Sequence, residues 1–139
     1  MIDLNQRTVL VTGATGGIGA ETVRQLIAAG ADVIASGRST DDLTVLSNET
    51  GVRTLPFDLK SEESVSDALE GLDLYGVVNC AGFGGEIATP MDTDLAVFDE
   101  VIAINTRGAL LVTKYASRSM MTPLCSTATD RGLTPSFSR

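Results

Sequence analysis

Three glycines define the chemistry open to this chain. Gly13, Gly17 and Gly19 fall within Thr12-Gly13-Ala14-Thr15-Gly16-Gly17-Ile18-Gly19. A diphosphate is held well by free backbone N–H groups at a helix start, where aligned peptide dipoles also favour negative charge. Glycine lets the backbone turn sharply and approach a phosphate, because no Cβ intervenes. In such a loop Gly13 turns the chain out of a strand, Gly17 lies under the diphosphate, and Gly19 lets the next helix pack close to the sheet. The spacing here is Gly-x-x-x-Gly-x-Gly, and a glycine-rich turn with no ligand is the plain alternative. No Gly-Lys-Ser/Thr follows, so the loop is not a P-loop.

Further polar residues stand where a nucleotide-binding sheet would need them. Gly37-Arg38-Ser39-Thr40 lies about twenty residues past the loop, where such folds meet an adenosine ribose. An acid there accepts from a 2′-hydroxyl, whereas a guanidinium with two hydroxyls suits a 2′-phosphate. The residues therefore predict NADP(H), with NAD(H) as the alternative. Arg38 read plainly is a solvated loop residue, and Thr40 a cap for the acidic first turn Asp41-Asp42. Asp58 either accepts from an adenine amino group or makes a turn. Asn79 ties neighbouring loops together, and Cys80 is a small apolar side chain beside Ala81-Gly82. Asn105 shares a helix stripe with Phe98, Val101, Ile102, Ala109 and Val112. There it either bonds a neighbouring strand's backbone or holds a water in a proton path, since a buried amide without partners costs about 1–3 kcal/mol.

The elements that must position these groups alternate between strand and helix. Apolar runs predict strands at Arg7 to Val11, Asp32 to Ser36, Val52 to Phe57 and Leu74 to Val78. Continuous apolar character suits strands buried on both faces. Helical spacing of Ile18, Val23, Leu26 and Ile27 predicts a helix from Gly17 to Ala29, ended by Gly30. Two shorter helices follow, Asp41 to Glu49 and a second capped by Ser61. A long helix, Thr93 to Ser117, starts from Asp92 as its cap. Pro56 places the third strand at a sheet edge. Strand, helix, strand in this compass is a βαβ unit with a right-handed crossover.

Bulk composition bounds the rest. With 139 residues, 43% hydrophobic and 20% charged, the chain is sized for one globular core. A net charge of −8 argues against nucleic acid and anionic membranes, which need a basic face. Without histidine, and with Cys80 and Cys125 not at ligand spacing, no metal site is expected. The two cysteines read as reduced thiols, and residues 1–7 lack a leader pattern. No apolar run nears the ~18 residues of a membrane span, so the expected location is cytoplasmic.

In order and spacing, Thr12-Gly13-x-x-x-Gly17-Ile18-Gly19, Asp58, Asn79-x-Ala81-Gly82 and Ile104-Asn105-Thr106 resemble the short-chain dehydrogenase/reductase family. Gly37-Arg38-Ser39-Thr40 is most similar to its NADP(H)-dependent carbonyl reductase and L-xylulose reductase-type members. The resemblance covers residues 3 to about 120. It implies a Rossmann-type, doubly wound α/β fold with a parallel sheet in three αβα layers, of which this chain holds the amino-terminal half, strand order 3-2-1-4. It implies hydride transfer between NADP(H) and a small alcohol or carbonyl substrate. Gly13, Thr15, Gly17, Ile18 and Gly19 would serve the diphosphate, and Arg38 with Ser39 or Thr40 the 2′-phosphate. Asp58 would serve the adenine, and Asn79, Ala81 and Gly82 the ribose side. Asn105 would be the catalytic asparagine, and the long helix 93–117 a surface for homo-oligomers. Where the family usually has a second Asn, this chain has Cys80.

The resemblance stops short of the family's Tyr-x-x-x-Lys, which does not occur in these 139 residues; Tyr115 directly follows Lys114. The expectation is a dinucleotide-binding half-domain over residues 1–120 and a disordered or non-native tail over 121–139, as from a truncation or frameshift. Such a half would leave strand 4 as an apolar edge, a template for aggregation. The competing readings are an oxidoreductase not competent alone, a non-catalytic NADP(H)-binding or partner-binding fragment, and an unfolded fragment.

Overall fold

Apolar side chains on both faces of the first two strands decide the architecture. A computed structural model of the chain describes residues 3–129. Its elements run β1 (Thr8–Thr12), α1 (Gly17–Ala28), β2 (Asp32–Ala35), α2 (Thr40–Thr50), β3 (Arg53–Thr54), α3 (Glu62–Leu69), β4 (Gly76–Asn79) and α4 (Leu95–Ile102). A π-helical segment (Ala103–Gly108) then leads into α5 (Ala109–Thr129). The strands pair in parallel in the order β3-β2-β1-β4, with Leu10 opposite Ile34 on one side and Val77 on the other. This is the Rossmann-type half-sheet that the sequence predicts.

Alternation along the strands sends neighbours to opposite layers. Leu10 and Ile34 pack with Val65, Leu69, Leu111, Val112 and Ala116 of α3 and α5. Val11, Val33 and Ala35 pack with Val23, Leu43 and Leu46 of α1 and α2. Helices thus cover both faces, giving three αβα layers.

Helix ends follow local chemistry. Ser39 caps α2 by accepting from the Asp42 N–H, and Ser61 caps α3 by accepting from Ser64. The expected cap Thr40 is instead the first residue of α2, because Ser39 holds the extended backbone that a cap requires. Gly30 closes α1 at φ +87°, as its position predicts. Strand β3 is shorter than expected: Leu55 makes the last donation, to Ala35 O, and Pro56 has no N–H to continue the ladder.

The expected single long helix is interrupted. It begins at Leu95 with Asp94 as cap, while Asp92 accepts a 2.6 Å bond from the Thr89 hydroxyl. Over Ala103–Gly108 it widens into a π-helix. A Cβ at Gly108 would stand 2.9 Å from the Leu59 Cβ, so glycine is what lets this turn lie against the 58–60 loop. The extra residue also rotates the buried stripe. Phe98 and Ile102 are 51% and 43% exposed, Asn105 is exposed, and Ile104, Leu111, Val112 and Ala116 fill the core. The tail expected from residue 121 is helical in its first part, since α5 runs to Thr129; residues 130–139 lie outside those described. Among the described residues, no helix is long and apolar enough to cross a membrane.

Candidate functional site

A cleft of about 220 Å³ opens at the carboxyl ends of the strands, where open parallel sheets bind ligands. Thr12, Gly13, Thr15 and Gly16 form its floor, and Ser36, Gly37 and Arg38 one end. Phe57, Asp58 and Leu59 make one wall. Cys80 to Phe83 make the other, and Ile104 closes it.

The floor depends on two close approaches. Gly13 has φ +62°, and a Cβ there would fall 2.5 Å from the Ala81 Cα, so only glycine admits the β4 end at this point. Gly19 brings α1 against the backbone that leaves β1. Its missing Cβ leaves room for the Gly13 carbonyl and for the Ala14 Cα, which would stand 2.9 Å away. The loop therefore closes upon its own helix. Gly17 differs, because nothing lies within 4 Å of a Cβ built there. Its absent side chain leaves open space rather than a protein contact.

Helix α1 also starts unlike the other helices that leave a loop. Ser39, Ser61 and Asp94 supply side-chain caps to α2, α3 and α4, whereas Gly16 supplies none to α1. The first N–H groups of a helix have no intrahelical acceptor. Here they remain for an acceptor from outside, at the dipole's positive end.

Thr12 joins the two loops at the floor. It is 2% exposed; its hydroxyl donates to Asn79 Oδ1 at 3.2 Å and accepts from the Ala81 N–H at 3.3 Å. Asn79 thus ties loops together, and its side chain does not line the cleft. Cys80 lines it from a half-buried position, 3.8 Å from the Thr22 hydroxyl. Opposite, Lys60 N–H donates to Asp58 Oδ1 at 2.9 Å, and Asp58 N–H to the Ser64 hydroxyl at 3.1 Å.

Of the residues predicted from sequence, Gly13, Thr15, Arg38, Asp58, Ala81 and Gly82 line the cleft. Gly17 and Ile18 border a shallow groove along α1, and Ile18 is 80% exposed. Ser39 is spent on its cap, and Thr40 is exposed beyond it. Asn105 reaches neither a strand nor a buried site; its carboxamide grips the backbone of Phe83 in the loop after β4. Ser36, Phe57, Leu59 and Phe83 were not singled out as site residues by sequence, and Ile104 only as part of the Ile104-Asn105-Thr106 pattern. Ser36 directly follows β2, which is a readable signal, whereas Phe57, Leu59 and Phe83 lie in loops whose course only the fold shows.

A separate polar cluster links α3 to the long helix. Glu62 accepts from Lys114 Nζ at 2.7 Å and from the Tyr115 hydroxyl at 2.8 Å, with Arg107 at 3.7 Å. The Lys114 hydrogen bond, then that of Tyr115, holds the Glu62 carboxyl below its ordinary range, and Glu62 raises Lys114. None of these four side chains lines the cleft. Tyr115 is therefore a structural donor here.

Comparison with known proteins places this geometry. The sequence model described as "short chain dehydrogenase" matches residues 7–129. Carbonyl reductase (NADPH) 2 of Sus scrofa is 38% identical over 115 residues, covering 81% of this chain and 46% of that protein. L-xylulose reductase of Caenorhabditis elegans is 32% identical over 126 residues, covering 86% and 50%. A short-chain type dehydrogenase/reductase structure from Mycobacterium ulcerans superposes with a TM-score of 0.84 at 30% identity, over 88% of this chain and 49% of that one. The chain thus spans about half the length of the relatives it matches.

Proposed function

The chain belongs to the short-chain dehydrogenase family, and from that premise we propose that its cleft binds NADP(H) for reversible hydride transfer with a small alcohol or carbonyl substrate. The carrying observation is Arg38. It lines the cleft, is exposed, and has no partner among the described residues. The other cations of the described residues are engaged. Arg24 and Arg53 pair with Glu49 and Asp32, Lys60 with Glu100, and Arg107 and Lys114 with Glu62. Arg7 and Arg118 lie over Tyr75 and Tyr115. A guanidinium left free beside Ser36 and Gly37 fits a phosphate on an adenosine ribose.

The remaining groups fit the rest of a dinucleotide. Gly13, Thr15 and the uncapped α1 start, with Gly17, Ile18 and Gly19, would hold the diphosphate. Asp58 would take the adenine amino group. Ala81 and Gly82, kept in place by Asn79 through Thr12, would face the ribose. When bound, NADPH supplies the hydride. Asn105 is the catalytic candidate by its place in the family pattern, and its side chain is fixed by Phe83. A carbonyl reductase-type substrate is the reading favoured by the relatives' names.

A second reading has a specific observation behind it: these 139 residues contain no Tyr-x-x-x-Lys. General acid catalysis typically contributes about 10²–10⁴-fold, so this chain alone would bind NADP(H) with little turnover. Exposed Leu95, Phe98, Ile102 and Leu110 on the long helix would meet a second copy or a partner segment. The reduced-thiol reading of Cys80 favours the cytoplasm.

The test is calorimetric titration with NADPH and NADH, on the native chain and on Arg38→Ala. NADPH should bind more tightly, and the substitution should weaken it about 10- to 100-fold, the equivalent of one charge-assisted contact, while leaving NADH unchanged. Equal affinities in both proteins would refute the NADP(H) assignment, and NADPH consumption with a carbonyl substrate would decide between the two readings.

A further inference from the structure

We propose that Arg107 is a positioning residue for the nucleotide cleft, acting on its Asp58–Leu59 wall through the carbonyl of Lys60. This rests on the reading of the cleft as a dinucleotide site. Both walls of the cleft are loops, and both are fastened to one element, the π-helical segment Ala103–Gly108. Asn105 holds the Phe83 wall by two hydrogen bonds to its backbone. Two residues on, Arg107 Nη1 donates to the Lys60 carbonyl at 3.1 Å, with its Nη2 3.7 Å from Glu62 Oε2. Ile104 of the same segment lines the cleft between them.

The geometry explains why that carbonyl matters. The loop from Asp58 to Ser61 is closed by Ser61 N–H donating to the Asp58 carbonyl at 3.1 Å and Lys60 N–H donating to Asp58 Oδ1 at 2.9 Å. Lys60 is therefore held at both ends: its N–H binds the Asp58 carboxylate, and its carbonyl accepts from Arg107. Lys60 Nζ reaches Glu100 at 3.1 Å, and Gly108 admits Leu59, so the whole wall bears on the long helix. Arg107 performs two tasks with one planar fork, which a lysine point charge cannot reproduce. A regular α-helical turn would carry one residue fewer between Asn105 and α5, and would swing Arg107 off the loop.

The experiment compares native protein, Arg107→Ala, Arg107→Lys and Glu62→Gln for affinity to NADPH and to 2′,5′-ADP, well below each melting midpoint. Arg107→Ala should weaken both ligands about ten-fold and shift the backbone amide resonances of Asp58 to Ser61 while leaving those of Gly13 to Gly19 in place. Arg107→Lys keeps the charge beside Glu62 and the fold, and should still lose several-fold affinity. Glu62→Gln removes the ion pair but leaves the carbonyl contact, and should bind both ligands as the native chain does. Native-like affinity in folded Arg107→Lys, or in Arg107→Ala, would overturn the proposal. So would an equal loss in Glu62→Gln, which would assign the effect to the ion pair. A native chain that binds neither ligand would instead remove the dinucleotide reading itself, and this inference with it.

Discussion

Asn105 and Phe83 exchange two hydrogen bonds: the Phe83 N–H donates to Asn105 Oδ1 at 2.8 Å, and Asn105 Nδ2 donates to the Phe83 carbonyl at 2.9 Å. A single carboxamide thereby acts as the missing neighbour of a loop that has no strand partner of its own. Replacing it tests how firmly that wall is held. Asn105→Ala removes both bonds at an exposed site and should cost about 1–2 kcal/mol in urea unfolding. Asn105→Asp keeps the acceptor for Phe83 N–H but sets a carboxylate against its carbonyl, and should destabilise too. An unchanged midpoint in both variants would show that the loop holds itself.

The glycine loop separates fold from ligand binding residue by residue. Ala at Gly17 meets nothing within 4 Å and needs no positive φ. Gly17→Ala should therefore fold and melt at or slightly above the native temperature, since Ala is the better helix former. Its methyl group would fill the space assigned to the diphosphate and should cut NADPH affinity at least ten-fold. Gly13→Ala faces both a positive φ and the Ala81 backbone, and should lose folding before binding can be measured. Circular dichroism melts beside calorimetry would show whether the two glycines divide in this way.

Stability should fall at both ends of the pH scale through one cluster. Glu62 is depressed below its ordinary 4.5, so its contribution is complete above that value and is lost as pH falls through the lower, folded-state value. Lys114 is raised above 10.5, so its contribution is complete below that value and is lost as pH rises through the folded-state one. Both groups are about half exposed, with side-chain accessibilities of 42% and 46%, so the effect is modest and screened by salt. Glu62→Gln should flatten the acid and alkaline limbs of the midpoint-against-pH curve together. If only one limb changes, the two groups do not act as a pair.

The order of the half-sheet was implied by the family resemblance, but the sequence by itself determined the β1–α1–β2 unit and its glycine loop. Each is written in neighbouring residues: the apolar run Thr8 to Val11, the helical spacing of Val23 and Leu26, and the glycines that turn the chain between them. Two-faced burial of Leu10 and Val11 follows directly from that run, because successive strand residues point to opposite layers. The starts of α1, α2 and α3 were legible to within a residue, since Ser61 and its acidic first turn are local signals, while Ser39 and Thr40 are chemically too alike to separate before the backbone is seen; the long helix starts two residues later than expected.

Tertiary structure alone decided how the loops around the cleft are held. Nothing near Thr12 in sequence shows that its hydroxyl would join Asn79 to Ala81. Nothing near Asn105 shows that its partner is the Phe83 backbone rather than a strand. The π-helical segment ends at Gly108, which lies against Leu59, a contact between distant parts of the chain. Asn105, expected on a buried stripe, and Arg107 each reach a loop from this segment. Arg38 was visible as a cation just past the second strand, but that every other cation of the described residues is engaged, and this one is not, emerges only when the side chains are in place. Local patterns fix elements because their causes lie within a few residues; the site depends on polar contacts between segments far apart in sequence, which short-range periodicity does not encode.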